Sequence, residues 1–565
     1  MAENIDVSAF GGMIPRISAR MIKDQFAQTA TNCDFRQGNL QAMASLGTPS
    51  DITASTTAFR SIYLHNGHWL RWTSTTISPV SGQVASSNHL LLYTGDGYPK
   101  QLDASVFNTA GVPDSLDDYQ RLGVTPPTTA LTITFAGSGD GVTTTTISYV
   151  YTYVDTFGAT KAESAPNTAT AAVTVEGGLY VKLTGFVKPT KAASGNNITH
   201  FRIYRVVSGI SGAEYELVKV HPGTVGATAV WDVPSSTTDV YDANSTPDGL
   251  STDLGEVLPS EDWDAPPDAL TGLSIYQNGV LIGFTGREIC PSEPFVHYAF
   301  PDNYRLTTHH DITALATAFG FAVVCTDEPT YVVEGTSPEA LTLRVLPYSQ
   351  TCVSAGGMIA TEIGIIYPSP DGLVLIDPST VAHILTKNIY TKEQWAALTP
   401  ANLISFFWDG KYYGFFSGTA TGIMYNFAEE PSVTGITLTG YTIYGGYVDP
   451  ETDTLYLLIK DASDKYYIAS FCGGTGDLTY VWKSKVFYNP NNINYSCGRV
   501  IGDFAGENSV SLKIYADGTL KQTVTVTTSN VFRLISGFRA KEWEFQLDGT
   551  IRVDAVKIAR SPGVL

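Results

Sequence analysis

Short apolar runs broken by Asn-Gly and Asp-Gly pairs recur along most of this chain, and that rhythm constrains its fold more than any other feature. Phe59–Leu64, the pair Asn66-Gly67 and Trp69–Thr73 read as a hairpin, because Asn-Gly favours the positive φ angles of a type I′ turn. Leu90–Thr94 before Asp96-Gly97 repeats the theme. It resumes with Leu273–Tyr276, Asn278-Gly279 and Val280–Phe284, then Phe321–Cys325 with Thr330–Val333. Ile363–Tyr367, Asp371-Gly372 and Leu373–Ile376 follow, as do Ile404–Trp408, Asp409-Gly410 and Tyr412–Phe416, and later Tyr444–Val448 and Leu455–Ile459. Each unit is two to four strands in ~40–50 residues, the spacing of propeller blades. A series of β-sandwiches would look similar, and the period favours the propeller.

Residues 126–255 break the period. Thr128–Thr146 is rich in Thr, and after it Ile147, Tyr149, Tyr151 and Tyr153 recur every second residue, placing large side chains on one face of a strand. Tyr180–Leu183, His200–Tyr204, Tyr215–Val220 and Ala229–Asp232 continue the series. About seven strands in ~100–120 residues is the size of an immunoglobulin- or fibronectin-like sandwich. The paired cysteines of antibody domains are missing, which favours the fibronectin type. Pro126-Pro127 and Pro266-Pro267 mark the linkers.

The expected fold is therefore all-β: a β-propeller-like core, an inserted immunoglobulin/fibronectin-like β-sandwich and a C-terminal β region. Residues 1–50 form an N-terminal arm or assembly segment, 51–125 the first part of the propeller and 126–255 the sandwich. Residues 256–480 supply the remainder of the propeller and 481–565 the C-terminal strands. One helix is expected, Thr391–Leu398, where Thr391 and Gln394 make a capping box and Pro400 sets the end.

Composition excludes several classes. Aromatic residues, 25 Phe, 31 Tyr and 8 Trp, supply ample surface to bury, so the chain is not disordered. A net charge of −20 makes it a poor ligand for nucleic acid, whose affinity comes from Lys and Arg displacing counterions. An acidic wall that repels DNA suits a conduit, and the same charge also keeps an abundant protein soluble. Met1-Ala2-Glu3-Asn4-Ile5-Asp6 is acidic and has no apolar core, unlike a signal peptide, and no apolar run reaches the ~18–20 residues of a membrane helix. Cys33, Cys290, Cys325, Cys352, Cys472 and Cys497 lie far apart and read as buried, reduced thiols.

No constellation with catalytic spacing appears. His65 and His68 flank a predicted turn and would face each other, but no third metal ligand lies nearby in sequence. His309-His310-Asp311 puts neighbours on opposite faces of a strand. Gly137-Ser138-Gly139-Asp140-Gly141 lacks the lysine and following helix of a phosphate-binding loop and reads as a hairpin tip. Glu261-Asp262-Trp263-Asp264 places acids beside an aromatic, as a glycosidase would, yet it sits in a linker. The expected catalytic, metal-binding and cofactor-binding residues are therefore none.

The segments Asn278–Pro294, Asp311–Ala316 and Glu334–Ala340 resemble the nozzle or tail-tube proteins of short-tailed bacteriophages. Gln28–Asp34 with Gly38-Asn39-Leu40 is similar to that family's N-terminal segment. Ser148–Val154 with Phe157-Gly158 and Glu163–Pro166 resembles its inserted module. Ser369–Val374, Trp395, Trp482–Lys485, Tyr515–Gly518, Phe532-Arg533-Leu534, Gly537–Ala540 and Trp543-Glu544-Phe545 follow in order. The resemblance implies a structural subunit of the virion tail, made in the bacterial host cytoplasm and assembled as a homo-oligomeric ring, a hexamer. That ring would continue the DNA-ejection channel below portal and adaptor, with the adaptor ring, tail fibres and distal plug proteins as partners. Double-stranded DNA would pass through without specific binding, no membrane insertion is implied, and no cofactor comes with the family. Two other readings stand beside it: a receptor-binding or glycan-cleaving tail protein, and a soluble propeller lectin.

Overall fold

A computed structural model describes residues 4–52, 57–83, 89–104, 112–113, 118–142, 144–208, 214–243, 245–246, 249–250, 254–347, 350–427, 430–506 and 508–565. Strand accounts for 49% of the chain and helix for 5%, so the fold is all-β, as the turn rhythm requires. Its core is a β-propeller. Four-stranded antiparallel sheets run from Ser78–Ser81 to Tyr119–Arg121, from Thr271–Ile275 to Leu306–Thr307, from Ile312–Ala318 to Thr342–Val345 and from Ile359–Thr361 to Ala382–Ile384. The blade from Leu403–Trp408 to Ser432–Thr437 is four strands of a larger sheet. The strands Tyr441–Asp449, Thr454–Asp461 and Tyr466–Ser470 form a further blade, completed by Ser50–Asp51 from the other end of the chain. The hairpin of Ser61–His65 and His68–Trp72 fills the remaining position.

The ring closes because each pair of neighbouring blades shares an apolar cluster. Phe59 and Ile62 at the hairpin pack with Leu458 and Ile468, while Leu70 and Trp72 pack with Leu91 and Tyr93 of the next blade. Val80 and Leu92 join Leu273 and Leu281; Ile282 and Phe284 join Leu315 and Val324; Val323 and Cys325 join Ile365 and Tyr367. Ile366 and Leu373 then join Leu403 and Tyr412, and Phe415 and Met424 join Ile443 and Leu457. The blades therefore surround one axis. Burying each such side chain contributes roughly 1.5–3 kcal/mol before chain entropy is counted.

Turn chemistry accounts for the hairpins. Asn66 and Gly67 take φ values of 47° and 79°, and Asp409 and Gly410 take 49° and 66°, the left-handed pair of a type I′ turn. At Asp371-Gly372 the structure differs. Ser369 pairs with Gly372, so the loop is Pro370-Asp371 and the glycine already belongs to the strand. Proline fixes φ near about −65°, which suits the first loop position of an ordinary turn and not of a type I′ one. The helix is short. Thr391 caps Lys392–Ala397, its hydroxyl accepting from Gln394 N while Gln394 Oε1 accepts from Thr391 N.

In the chain between Tyr119–Arg121 of one blade and Thr271–Ile275 of the next, two further sheets face each other. One holds Thr132–Gly137, Leu179–Thr184, Val220–Pro222 and Asp239–Asp242; the other is built on the long pair Thr144–Phe157 and Ile198–Ser208. Tyr149, Tyr151 and Tyr153 point into the shared core with Val181, Leu183 and Phe201. Val150 and Tyr204, on the opposite face, are covered by Leu217 and Leu258, so the long strand is buried on both sides.

The N-terminal segment pairs with strands of its own chain. Asn4–Val7 pairs antiparallel with Val553–Ala559. Thr29–Thr31 lies between Ser432–Thr437 of a propeller blade and Tyr480–Lys483, which joins that blade to Ala540–Gly549 in one ten-stranded sheet. Phe10 meets the Trp482 ring edge-on at 4.9 Å, and Trp482 Nε1 donates to Gly11 O at 3.0 Å. The two chain ends thus share a core with Trp543, Phe545 and Leu547.

Candidate functional site

The innermost strands of the blades converge on the propeller axis, and the side chains they bring there are largely apolar. Ile62, Pro79, Ile359, Ile404, Phe406 and Tyr447 line a cavity of about 330 Å³. A second cavity of about 230 Å³ lies against Thr271, Thr313 and Leu315. The tight turn Ala355–Gly357 borders both, held by Ser354 Oγ donating to Leu403 O at 2.7 Å. Gly357 is required there, since a Cβ would meet Pro368 Cγ at 2.6 Å. Cavities of this size and lining are too small for a DNA duplex.

A charged network lies on the sandwich beside the linker to the propeller. Arg202 donates from Nε to Asp232 at 2.8 Å and from Nη1 to Glu163 at 2.8 Å, with Glu256 at 3.4 Å. Thr152 and Tyr204 donate to the other oxygen of Glu163 at 2.6 and 2.7 Å. Burial, followed by the Glu163 charge, raises the Tyr204 phenol far above its ordinary range. A cavity of about 290 Å³ beside this network is walled by Trp263 and Tyr298. Arg202, Glu163 and Asp232, all within the inserted unit, satisfy one another and leave no free acid or base among them. The sequence shows Arg202 only as a polar position in a strand; its three partners come from distant elements.

The residues singled out in the sequence are dispersed. His65 and His68 are directly opposite across the hairpin, with His65 buried, its Nε2 3.1 Å from His89 O, and His68 exposed. Burial lowers the His65 pKa. No group of three or more His, Cys, Asp or Glu able to hold a metal occurs among the described residues. His310 lies 3.6 Å from both Asp327 and Glu328, and Asp311 turns away to Arg287 at 2.8 Å. The Gly137–Gly141 loop is an exposed tip where Asp140 N donates to Gly177 O at 2.7 Å. Trp263 packs edge-on against Tyr298 at 5.7 Å and is half-buried. Asp264 is raised above the usual carboxylate range, chiefly by burial and then by Asp302 and Asp262, against the opposing bond from Asp302 N. All six cysteines are free thiols; five are buried and Cys472 is partly so.

No protein-family model matches the chain, and no curated protein sequence matches it. Among solved structures, the β-propeller domain of Cps50 (Swd1) from Myceliophteria thermophila is 8% identical, covering 51% of this chain and 90% of that one at a TM-score of 0.25. Hsv2 from Kluyvelomyces marxianus is 6% identical, covering 57% and 89% at 0.26. An exo-beta-1,3-galactanase from Phanerochaete chrysosporium is 7% identical, covering 51% and 95% at 0.22. With scores this low, the architecture rests on the strand pairing and interblade clusters of the chain itself.

Proposed function

We propose that the chain is a non-enzymatic structural subunit of a short phage tail, a nozzle ring that continues the DNA-ejection channel and anchors distal tail parts. The ordered resemblance of its segments to that family motivates the reading. The observation that carries it is the ten-stranded sheet, which runs without a break from a propeller blade through Thr29–Thr31 into the C-terminal strands. A wall element must transmit load between its parts, and a shared sheet does so better than a flexible linker. The small, largely apolar axial cavities support a wall rather than a vessel. The acidic excess supports a surface past which DNA slides, since Lys and Arg facing the channel would hold phosphates.

Electron microscopy of the purified protein tests this. Rings with an open central channel are expected, while a solid trimeric spike or a protein that stays monomeric would refute the nozzle.

A further inference from the structure

Charge is divided unevenly along this chain. Residues 51–480 carry 19 Lys and Arg against 43 Asp and Glu, whereas residues 1–50 and 481–565 together carry 15 against 11. The body knit from the two chain ends is therefore basic by 4, and the remainder acidic by 24. Several cations of the basic body are matched within it: Lys483 by Glu544, Lys485 by Asp24, Lys513 by Asp548 and Lys557 by Asp6.

Lys521, Arg533 and Arg539 differ. All three are exposed, and no ion pair among the described residues involves them. Lys521 lies on the terminal strand of the ten-stranded sheet, Arg533 lies in the short strand Phe532–Arg533 that pairs with Cys497–Gly498, and Arg539 follows Phe538 in the loop after it. The strand Thr519–Val526 ends the ten-stranded sheet, and the following loop folds back on it, Ile535 N donating to Gln522 Oε1 at 2.7 Å. Lys521 Nζ sits 5.4 Å from the Phe538 ring. Leu520 and Ile535 are each 47% exposed beside these cations. Unmatched cations around exposed aliphatic groups suit an acidic protein face, which can satisfy both.

We propose that this edge docks onto the acidic propeller-and-sandwich part of a second copy of the chain. The contact joins unlike surfaces, so it is head-to-tail and closes into a ring when the rotation allows. It rests on the ring reading above and assigns the surface that makes the ring. Duplex DNA is the competing anionic occupant; the net charge of −20 on the whole chain disfavours it, and the aliphatic groups give it nothing to bind.

Sedimentation of the full chain tests the assignment, comparing wild type with Lys521→Glu/Arg533→Glu/Arg539→Glu at about 0.15 M and about 1 M salt. The wild type is expected to assemble at the lower salt and loosen at the higher. The reversed variant should need about tenfold more protein to assemble, with the corresponding triple Gln variant between them. Circular dichroism of both variants must match wild type, and the exposed positions make that the expected result. Folded variants that assemble like wild type would overturn the assignment while leaving the ring intact. So would loss of duplex-DNA binding in the variants with assembly unchanged. A wild type monomeric at both salts would instead remove the ring reading itself, and the assignment with it.

Discussion

Arg205 Nη1 lies 2.7 Å from Asp242 Oδ2, and the two residues stand on facing sheets of the inserted unit with essentially no exposure. Tyr149 Oη donates to the same oxygen at 2.7 Å. Burial, then the Asp242 charge, pushes the Tyr149 phenol well above its ordinary range. Removing one partner of such a pair strands the other charge in an apolar core. Asp242→Asn is expected to destabilise this unit by about 3–5 kcal/mol, read as a lower-temperature transition in calorimetry. Replacing both partners, as Arg205→Met/Asp242→Leu, should recover most of that loss. Equal melting of Asp242→Asn and wild type would contradict the geometry.

Acid should weaken the fold through His297. Its Nε2 has no hydrogen-bond partner among the described residues, and burial lowers its pKa to about 4. An unfolded histidine titrates near about 6.5, so the unfolded chain takes up the proton first as pH falls. The contribution is fully present above about pH 6.5 and is lost progressively down to about pH 4, roughly 3 kcal/mol in all. Urea unfolding of wild type and His297→Phe at the two ends of that window checks it. The variant should lose less stability on acidification, and identical pH slopes would be the contrary result.

Two glycines should respond differently to the same substitution. Gly67 has φ of 79° and open space around it, whereas a Cβ on Gly95, at φ of 97°, would collide with Thr76 O. Gly67→Ala is expected to cost about 1–2 kcal/mol from backbone strain alone. Gly95→Ala adds a backbone clash and should cost visibly more in chemical denaturation. Equal costs would show that the loop at Thr76 gives way.

The contrast between these sites and the chain ends shows what the sequence makes legible. Asn66-Gly67 and Asp409-Gly410 encode their hairpins locally, because the turn and its flanking strands are neighbours in the chain. The propeller class follows from repeating that local signal. Long-range closure leaves no such mark. Thr29–Thr31 has only three residues and no telling alternation, yet it pairs with Tyr480–Lys483. Ser50–Asp51 reads as polar loop and completes a blade with Tyr466–Ser470. The charged network is equally silent, since Arg202 finds Glu163, Asp232 and Glu256 only after folding. Asp371-Gly372 shows a subtler case, in which the preceding proline decides where the turn falls.

Removing the N-terminal segment should therefore disrupt the opposite end of the chain. A protein lacking residues 1–40 loses Phe10, Ala27, Ala30 and Cys33 from the core around Trp482 and Phe545. Proteolysis is expected to cut first within residues 481–565, with loss of the cooperative transition assigned to that region. A truncated protein with wild-type resistance there would show that the N-terminal strands are dispensable.

The ten-stranded sheet also sets an order of events during synthesis. Thr29–Thr31 leaves the ribosome early, but one of its two flanking strands, Tyr480–Lys483, is among the last to be made. At roughly 5–20 residues per second, the first strands wait on the order of half a minute or longer for that partner. Until then its unpaired backbone stands ready to pair with the wrong neighbour, including the same segment of another nascent chain. Newly made protein should accordingly depend on chaperone occupancy of its N-terminal segment until the C-terminal strands emerge. A ribosome-stalled chain ending at residue 480 should remain cleavable within its first 50 residues, and resistance there would mean that the segment had already found another home.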